Sequence, residues 1–334
     1  MVLARRLNAG LLYLGLRRSS HWDKPTLLDE FFESPLKALV VRLYCILLWL
    51  RGSSVKPPRN RPPIKVVCLS DTHGDIVPNV PPGDLLIHAG DLTRGGTSLE
   101  IQTQINWLKS LPHTHKVVIA GNHDRYFDIK TRRDVDVATN ARLDLKNIHY
   151  LERQSVTLSF KGQRRLNIFG APDIIGSSGS SSTNAFQYDA AHHPWHGAVP
   201  RETDILVTHG PPRFHLDLDI GCSGLLADTW RAKPKLHIFG HIHCARGKQA
   251  VWWDSCQLGY ENFLSRKMRG PIWDMVPNAQ WLDVANIIIF GISSILWKWL
   301  MLGGHAEGGL LINAACQDGN KGKLSTKTPI TVEL

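Results

Sequence analysis

Residues 64–91 read IKVVCLSDTHGDIVPNVPPGDLLIHAGD. Twice in this stretch a short apolar run, VVCL and then LLIH, leads through one or two small residues to an aspartate, first Asp71 and then Asp91. Unbroken apolar runs of this length suit strands covered on both faces. The phrase returns downstream as HKVVIAG before Asn122, DILVTHG containing His209, and KLHIFG before His241. Between the runs, Ser98–Leu111 places Leu99, Ile101, Ile105 and Leu108 at roughly helical spacing. LERQSVTLSFKGQRRLNIFGAPD (Leu151–Asp173) reads as a β-hairpin feeding a further strand, and strand texture returns at Leu310–Ala314. Alternating strands and helices predict the α/β class. In such sheets ligands bind beyond the carboxyl ends of the strands, which is where these polar residues fall.

The chain has 334 residues, 43% hydrophobic and 20% charged, so it can bury a core and is not disordered. Its net charge of +10 is uneven: residues 1–61 hold 11 Lys/Arg against 4 Asp/Glu, leaving +3 for the rest. That remainder has no basic stripe interleaved with aromatics, which argues against nucleic acid as a partner. Six scattered cysteines with no C-x-x-C pair point to a reducing, cytoplasmic compartment. Residues 1–20 carry Arg5, Arg6, Arg17 and Arg18 and no acid. They resemble a mitochondrial transit peptide in composition, although an ordinary basic tail is the preferred reading.

The organisation follows from these shifts. Residues 1–61 form a basic extension with an apolar helical block, Leu36–Leu50, and a Pro-rich linker, Lys56–Pro63. Residues 62–334 form the main domain, interrupted by an apolar helical insertion at about 252–309. Gly176–Ser182 reads as a flexible loop. Val284–Leu302 carries one charge, Lys298, and is long enough to cross a bilayer, about 28 Å as a helix. A single span conflicts with the strand that follows it, which belongs to the main domain. Two readings stand: this helix packs on Leu36–Leu50, or both lie in a membrane interface, with Trp273, Trp281, Trp297 and Trp299 as anchors.

The chemistry sits in Asp71-x-His73, Gly90-Asp91, Gly121-Asn122-His123-Asp124, His209 and Gly240-His241-Ile242-His243. Carboxylate oxygens and imidazole nitrogens suit hard or borderline divalent ions. Asp91, alone after a strand and a glycine, is placed to bridge two of them. Asp-x-His and His-x-His put alternate residues on one side of an extended segment. Asn122 offers a neutral oxygen. These five motifs in this order resemble the calcineurin-like metallophosphoesterases over about Ile64–Cys316, and the finer texture (LSDTHG, HAGDLT, GNHD, THGPP, HIFGHIH, INAA) is similar to the metallophosphoesterase domain-containing subgroup, fungal members included.

The resemblance implies a four-layer α/β/β/α sandwich with a dimetal site at one edge of two sheets. It implies Asp71, His73, Asp91 and His243 on one ion, Asp91, Asn122, His209 and His241 on the other, and His123 as the catalytic acid. The implied reaction is hydrolysis of a phosphodiester or small phosphomonoester, a nucleotide among the candidates, by a metal-bridging hydroxide. Manganese is the first expectation; iron, zinc and nickel also suit the donor set. A catalytically weak module holding a nucleotide or phosphorylated ligand at a membrane surface is the alternative. One departure stands out. Where the Ser/Thr phosphatase branch has a second Asp to orient the catalytic His, this chain has Arg94, with Asp124 as the substitute. Asn313 is a candidate substrate contact, weighed equally against a turn-forming Asn. His88 and His237 read as core histidines, His113 and His115 as solvated loop residues, and His192, His193 and His196 as surface or rim residues.

Overall fold

A computed structural model describes residues 10–20, 22–176, 184–300, 308–317 and 328–334. Residues 1–9 of the transit-peptide-like stretch, 177–182 of the loop and 301–302 of the apolar helix lie outside the described residues. The chain forms two compact units: Met1–Ser54 with Ala250–Gly308, and Val55–Gln249 with Gly309–Leu334. The N-terminal extension and the insertion, far apart in sequence, are thus one unit.

The larger unit is mixed α/β. Its strands, in chain order with the last residues of the insertion's flanks included, are β1 (Lys65–Leu69), β2 (Leu85–Ala89), β3 (His115–Ile119), β4 (His149–Tyr150), β5 (Gln154–Phe160), β6 (Arg164–Ala171), β7 (Ile174–Ile175), β8 (Gln187–Tyr188), β9 (Ile205–Thr208), β10 (Leu236–Phe239), β11 (Gly247–Trp252), β12 (Gly308–Asn313) and β13 (Ile330–Glu333). One sheet has the order β13-β1-β2-β3-β4, the other β11-β12-β10-β9-β6-β5, and β7 pairs with β8 alone. Strands β1 to β4 run parallel, as do β6, β9, β10 and β12. The hairpin read in Leu151–Asp173 is the antiparallel pair β5–β6.

The unbroken apolar runs are explained by three cores. Val66, Cys68, Leu85, Ile87, Val117 and Ile119 of the first sheet meet Ile168, Ile205, Val207, Leu236, Ile238 and Ile312 of the second. Alternate residues Val67, Leu69, Leu86 and Val118 face outward onto Ile101, Ile105 and Leu108 of the helix Ser98–Ser110. On the far side, Phe169, Ala171 and Leu206 pack on Leu225 and Ala232 of the helix Ser223–Ala232. Period-two side chains therefore find apolar cover on both faces, and the layers run helix, sheet, sheet, helix. Full burial of each Val, Ile or Leu contributes about 1.5–3 kcal/mol before entropy is counted. The helix Ser98–Ser110 starts in a capping box, Thr97 with Glu100. Its buried face differs from expectation at one position: Leu99 is 77% exposed and Gln104 is buried. Two residues before Ile101 a helix has turned to its opposite side.

The smaller unit packs together the helices Leu27–Glu33, Pro35–Arg51, Ser255–Ser265 and Gln280–Trp299. Ser34 caps the second, with Pro35 at its first turn, and Asp254 caps the third. Leu36, Val40, Tyr44 and Leu47 form one stripe that meets Cys256, Tyr260 and Phe263, and Val284 and Ile287. Tyr44 stacks on Tyr260 with ring centroids 3.8 Å apart. Arg51 is buried in an ion pair with Asp254. Packing of the long apolar helix on Leu36–Leu50 is therefore realised, but it covers only one side of that helix.

Candidate metal centre

Parallel strands carry their C-terminal ends to one edge. Asp71 follows β1, Asp91 follows β2, Asn122 and His123 follow β3, His209 follows β9, and His241 and His243 follow β10. The turn residues are unusual. Asp71 (φ 54°), His73 (48°), Asp91 (54°) and His241 (65°) all adopt the left-handed region despite carrying side chains. Each costs about 1–3 kcal/mol unless its surroundings hold it there. The holding bonds are visible: Asp71 N–H donates to Gly90 O (2.9 Å), His73 N–H to Asp91 O (3.0 Å) and Gly74 N–H to Leu92 O (2.7 Å). His241 N–H donates to both Asp71 carboxylate oxygens (3.0 Å each), and His123 N–H to Asp91 Oδ1 (2.8 Å).

The glycines exist for close approach. A Cβ at Gly240 would lie 2.0 Å from both Asp71 Oδ2 and Ser70 Oγ, and one at Gly121 would lie 2.3 Å from Asp91 Oδ1. Gly240→Ala is therefore expected to push the Asp71 carboxylate aside. Metal content after dialysis, read by atomic emission, should fall about tenfold or more, and full retention of metal would contradict this packing account.

The seven expected ligands are brought together. Three groups of donor atoms each lie within 4.8 Å of one another: Asp71, His73 and His243; Asp91, His209 and His241; and His73, Asp91 and His123. Asp91 belongs to two of the groups. His73 Nε2 sits 3.3 Å from His243 Nε2 and 3.7 Å from Asp91 Oδ2, and His243 Nε2 sits 3.2 Å from Asp71 Oδ1. On the other side, His209 Nδ1 lies 2.9 Å from Ala89 O, which can only accept, so Nδ1 carries the proton. Its Nε2 then faces Asn122 Oδ1 (3.0 Å) and Asp91 Oδ2 (3.3 Å). Carboxylate, amide and imidazole donors converging at such distances inside a buried edge need a positive charge among them, a proton or a bound cation. The donor set thus fits divalent ions on its own chemistry.

The electrostatics agree. Burial would raise Asp71 and Asp91, but His243 beside the first and His209 beside the second hold both well below the usual carboxylate range. Burial works against charge on His209, yet Asp91 and then Asp71 carry its pKa up to about 9. Burial and the neighbouring His209 push His241 down to about 3, leaving its imidazole neutral.

Of the other three expected site residues, His123 stands beside the donor groups, while Asp124 and Asn313 make other contacts. His123 is half-buried at the rim, its ring edge-on to His73 at 4.9 Å. Its Nδ1 meets the backbone carbonyl of Arg94 (3.2 Å), not Asp124. Asp124 is fully buried and spent inside the loops: it accepts from Leu92 N (3.0 Å), Gly121 N (2.9 Å), Thr93 N (3.0 Å) and Thr93 Oγ1 (2.9 Å). It ties the two Gly-led turns together and does not orient His123. Asn313 is likewise fully buried and turned to backbone, donating to Ile242 O (2.9 Å) and Leu216 O (3.4 Å) and accepting from Ala315 N (3.2 Å). It steadies the segment between His241 and His243 and does not reach toward substrate. Nothing in residue type alone separates that role from a substrate contact.

Among the other histidines, His88 is buried against Thr72 Oγ1 (3.1 Å) and His237 against Thr208 Oγ1 (2.8 Å), and burial holds each pKa down to about 3. His113, expected to be solvated, is instead 4% exposed, with Nε2 3.0 Å from Pro81 O. His115 opens β3, 3.0 Å from Ser159 O, rather than standing in a loop. His193 and His196 stack on each other at 4.3 Å. Beside His241 a recess lined by Ile174, Tyr188, Cys222 and Leu225 opens, which sequence reading did not find.

Residues 64–245 match the calcineurin-like phosphoesterase family. Over 274 residues the chain is 38% identical to probable rhamnogalacturonate lyase C of Emericella nidulans, covering 81% of this chain and 24% of that protein. It is 36% identical over 210 residues to human metallophosphoesterase domain-containing protein 1, covering 56% of this chain and 62% of that protein. A Caenorhabditis elegans UPF0046 protein, C25E10.12, is 35% identical over 214 residues, 58% of this chain and 75% of its own. The chain thus spans about a quarter of the first relative and under two thirds of the second. A crystal structure of TT1561 of Thermus thermophilus aligns at 14% identity and a TM-score of 0.38, over 57% of this chain and 85% of that one.

Proposed function

The chain belongs to the calcineurin-like phosphoesterase family, and on that premise we propose that it hydrolyses phosphodiesters or small phosphomonoesters with two divalent ions held on either side of Asp91. The observation that supports this most is the convergence of two donor groups, Asp71, His73 and His243 and Asp91, His209 and His241, with Asp91 Oδ2 facing His73 Nε2 (3.7 Å) and His209 Nε2 (3.3 Å). Asp71, His73, Asp91 and His243 would hold one ion; Asp91, Asn122, His209 and His241 would hold the other. When bound, the ions would lower the pKa of a water and neutralise charge on the phosphoryl oxygens.

The protein's own residues supply the rest. The Arg94 carbonyl fixes the Nδ1 proton of His123, so Nε2 is the nitrogen that delivers a proton to the leaving oxygen. A neutral carbonyl orients that ring without the added negative charge of a carboxylate, which distinguishes this site from a His–Asp pair. The Arg94 side chain, with Nε on His73 O (3.2 Å), brings positive charge to the mouth. The apolar recess beside His241 offers room for a non-phosphate substituent.

The test is turnover of the full-length protein, stripped and reloaded with manganese, iron, zinc or nickel, on bis(p-nitrophenyl) phosphate and p-nitrophenyl phosphate. Metal-dependent hydrolysis, faster on the diester, is expected. Tight nucleotide binding with no turnover under any metal would replace this reading with that of a binding module.

A further inference from the structure

We propose that the helical unit, Met1–Ser54 with Ala250–Gly308, seats on an anionic lipid bilayer, with the helix Gln280–Trp299 lying in the plane of the interface. This helix is apolar around its circumference, yet only 28% of its most apolar window is buried. Gln280, Asp283, Val284, Ile287 and Gly291 face the unit's core. The opposite side presents Ile289 (61% exposed), Ile292, Leu296 and Trp299 (70%), and Phe290 is exposed on the flank of the buried stripe. A helix that is apolar beyond the stripe it buries has a second apolar phase to satisfy.

The neighbouring helix extends that surface. The position of a Cβ at Gly291 lies 2.6 Å from Leu47 Cδ1, and Lys298 Nζ donates to Arg51 O. Helix Pro35–Arg51 therefore runs alongside in the same direction, and its exposed Ile46, Trp49 and Leu50 lie toward the end that carries Trp297 and Trp299. The segment entering the apolar helix, Arg266–Val276, exposes Ile272, Trp273, Met275 and Val276. Tryptophan thus stands at both ends of an element about 30 Å long. Aromatics at both ends and an apolar side between them suit a helix that lies flat, with its indoles at headgroup level.

Charge selects the lipid. Of the unit's carboxylates Asp29, Glu261, Asp274 and Asp283 are buried, Asp23, Glu30 and Asp254 half-buried and Glu33 exposed; Arg42, Arg266, Lys267, Arg269 and Lys298 are exposed, with Arg42, Arg266 and Arg269 paired to Glu30, Asp283 and Asp274. Residues 1–54 and 250–308 together hold 12 Lys/Arg against 9 Asp/Glu, a modest positive excess of the sign that an acidic leaflet attracts. Spanning is excluded by topology. The insertion leaves from β11 and returns to β12, which are neighbours in one sheet. A single crossing helix would need a second, extended crossing to return, with its backbone unpaired in hydrocarbon.

The test is flotation of the full-length protein with phosphatidylcholine vesicles, with and without phosphatidylserine. Binding is expected only with the acidic lipid, and to weaken with salt. Ile289→Glu with Phe290→Glu, both at exposed positions, should reduce the bound fraction at least about tenfold. Lys267→Glu, whose side chain is exposed, should reduce it about fivefold. Failure of the wild type to float, or undiminished flotation of both variants, would overturn the proposal. So would a dimer in light scattering that the glutamates dissolve while no vesicle is bound, since the occupant would then be a second copy.

Discussion

Asp91→Asn is expected to lower kcat/KM on an aryl phosphodiester by at least about a thousandfold, with a fall in bound metal from two ions per chain toward one or none. The change is nearly isosteric, so the fold should persist. The Oδ1 that accepts from His123 N–H can still do so after substitution, which keeps the neighbouring loop in place. What is lost is the negative charge. Asp91 Oδ2 faces His209 Nε2 at 3.3 Å on one side and His73 Nε2 at 3.7 Å on the other, so one carboxylate holds both halves of the donor set. Asparagine would aim either an amide hydrogen or a single neutral oxygen at that point. Turnover close to wild type, with both ions retained, would remove Asp91 from the bridging position.

His123→Ala carries the second largest effect and a different signature. Removal of a positioned acid is expected to lower kcat about 100- to 10,000-fold while leaving metal content intact. The loss should depend on the leaving group. A nitrophenolate departs readily without a proton, so its ester should suffer least, whereas an alkyl ester should suffer most. Equal losses on both would show that His123 acts through charge on the phosphoryl group rather than by protonation. Metal content separates this variant from Asp91→Asn, because His123 Nδ1 is bound to the Arg94 carbonyl and the ring stands at the rim.

Much of this was legible in the chain. Five apolar runs ending in metal-competent residues fixed both the parallel strands and the edge where chemistry gathers, because strand direction and side-chain period leave little choice once both faces are covered. Residue type failed where backbone decides. Asp124 and Asn313 look like site residues, and both are polar and adjacent to ligands, but their hydrogen bonds go to main-chain groups. No pattern of letters reports that a carbonyl, that of Arg94, occupies the place of a carboxylate side chain. Likewise the smaller unit is assembled from two segments some two hundred positions apart; the lengths and apolar texture of Leu36–Leu50 and Val284–Leu302 suggest their packing, but not the stripe Leu36, Val40, Tyr44 and Leu47 that makes it.

The four left-handed residues have a consequence for descent. Asp71, His73, Asp91 and His241 each hold a conformation that glycine would adopt freely, so the fold resists its own chemistry at these positions. Selection for folding alone would favour glycine at every one of them. On the function proposed above, it is use of the ions that retains aspartate and histidine against that drift. A relative that carries glycine at several of these positions would therefore be marked as a lineage that has abandoned hydrolysis, whatever the rest of its sequence preserves.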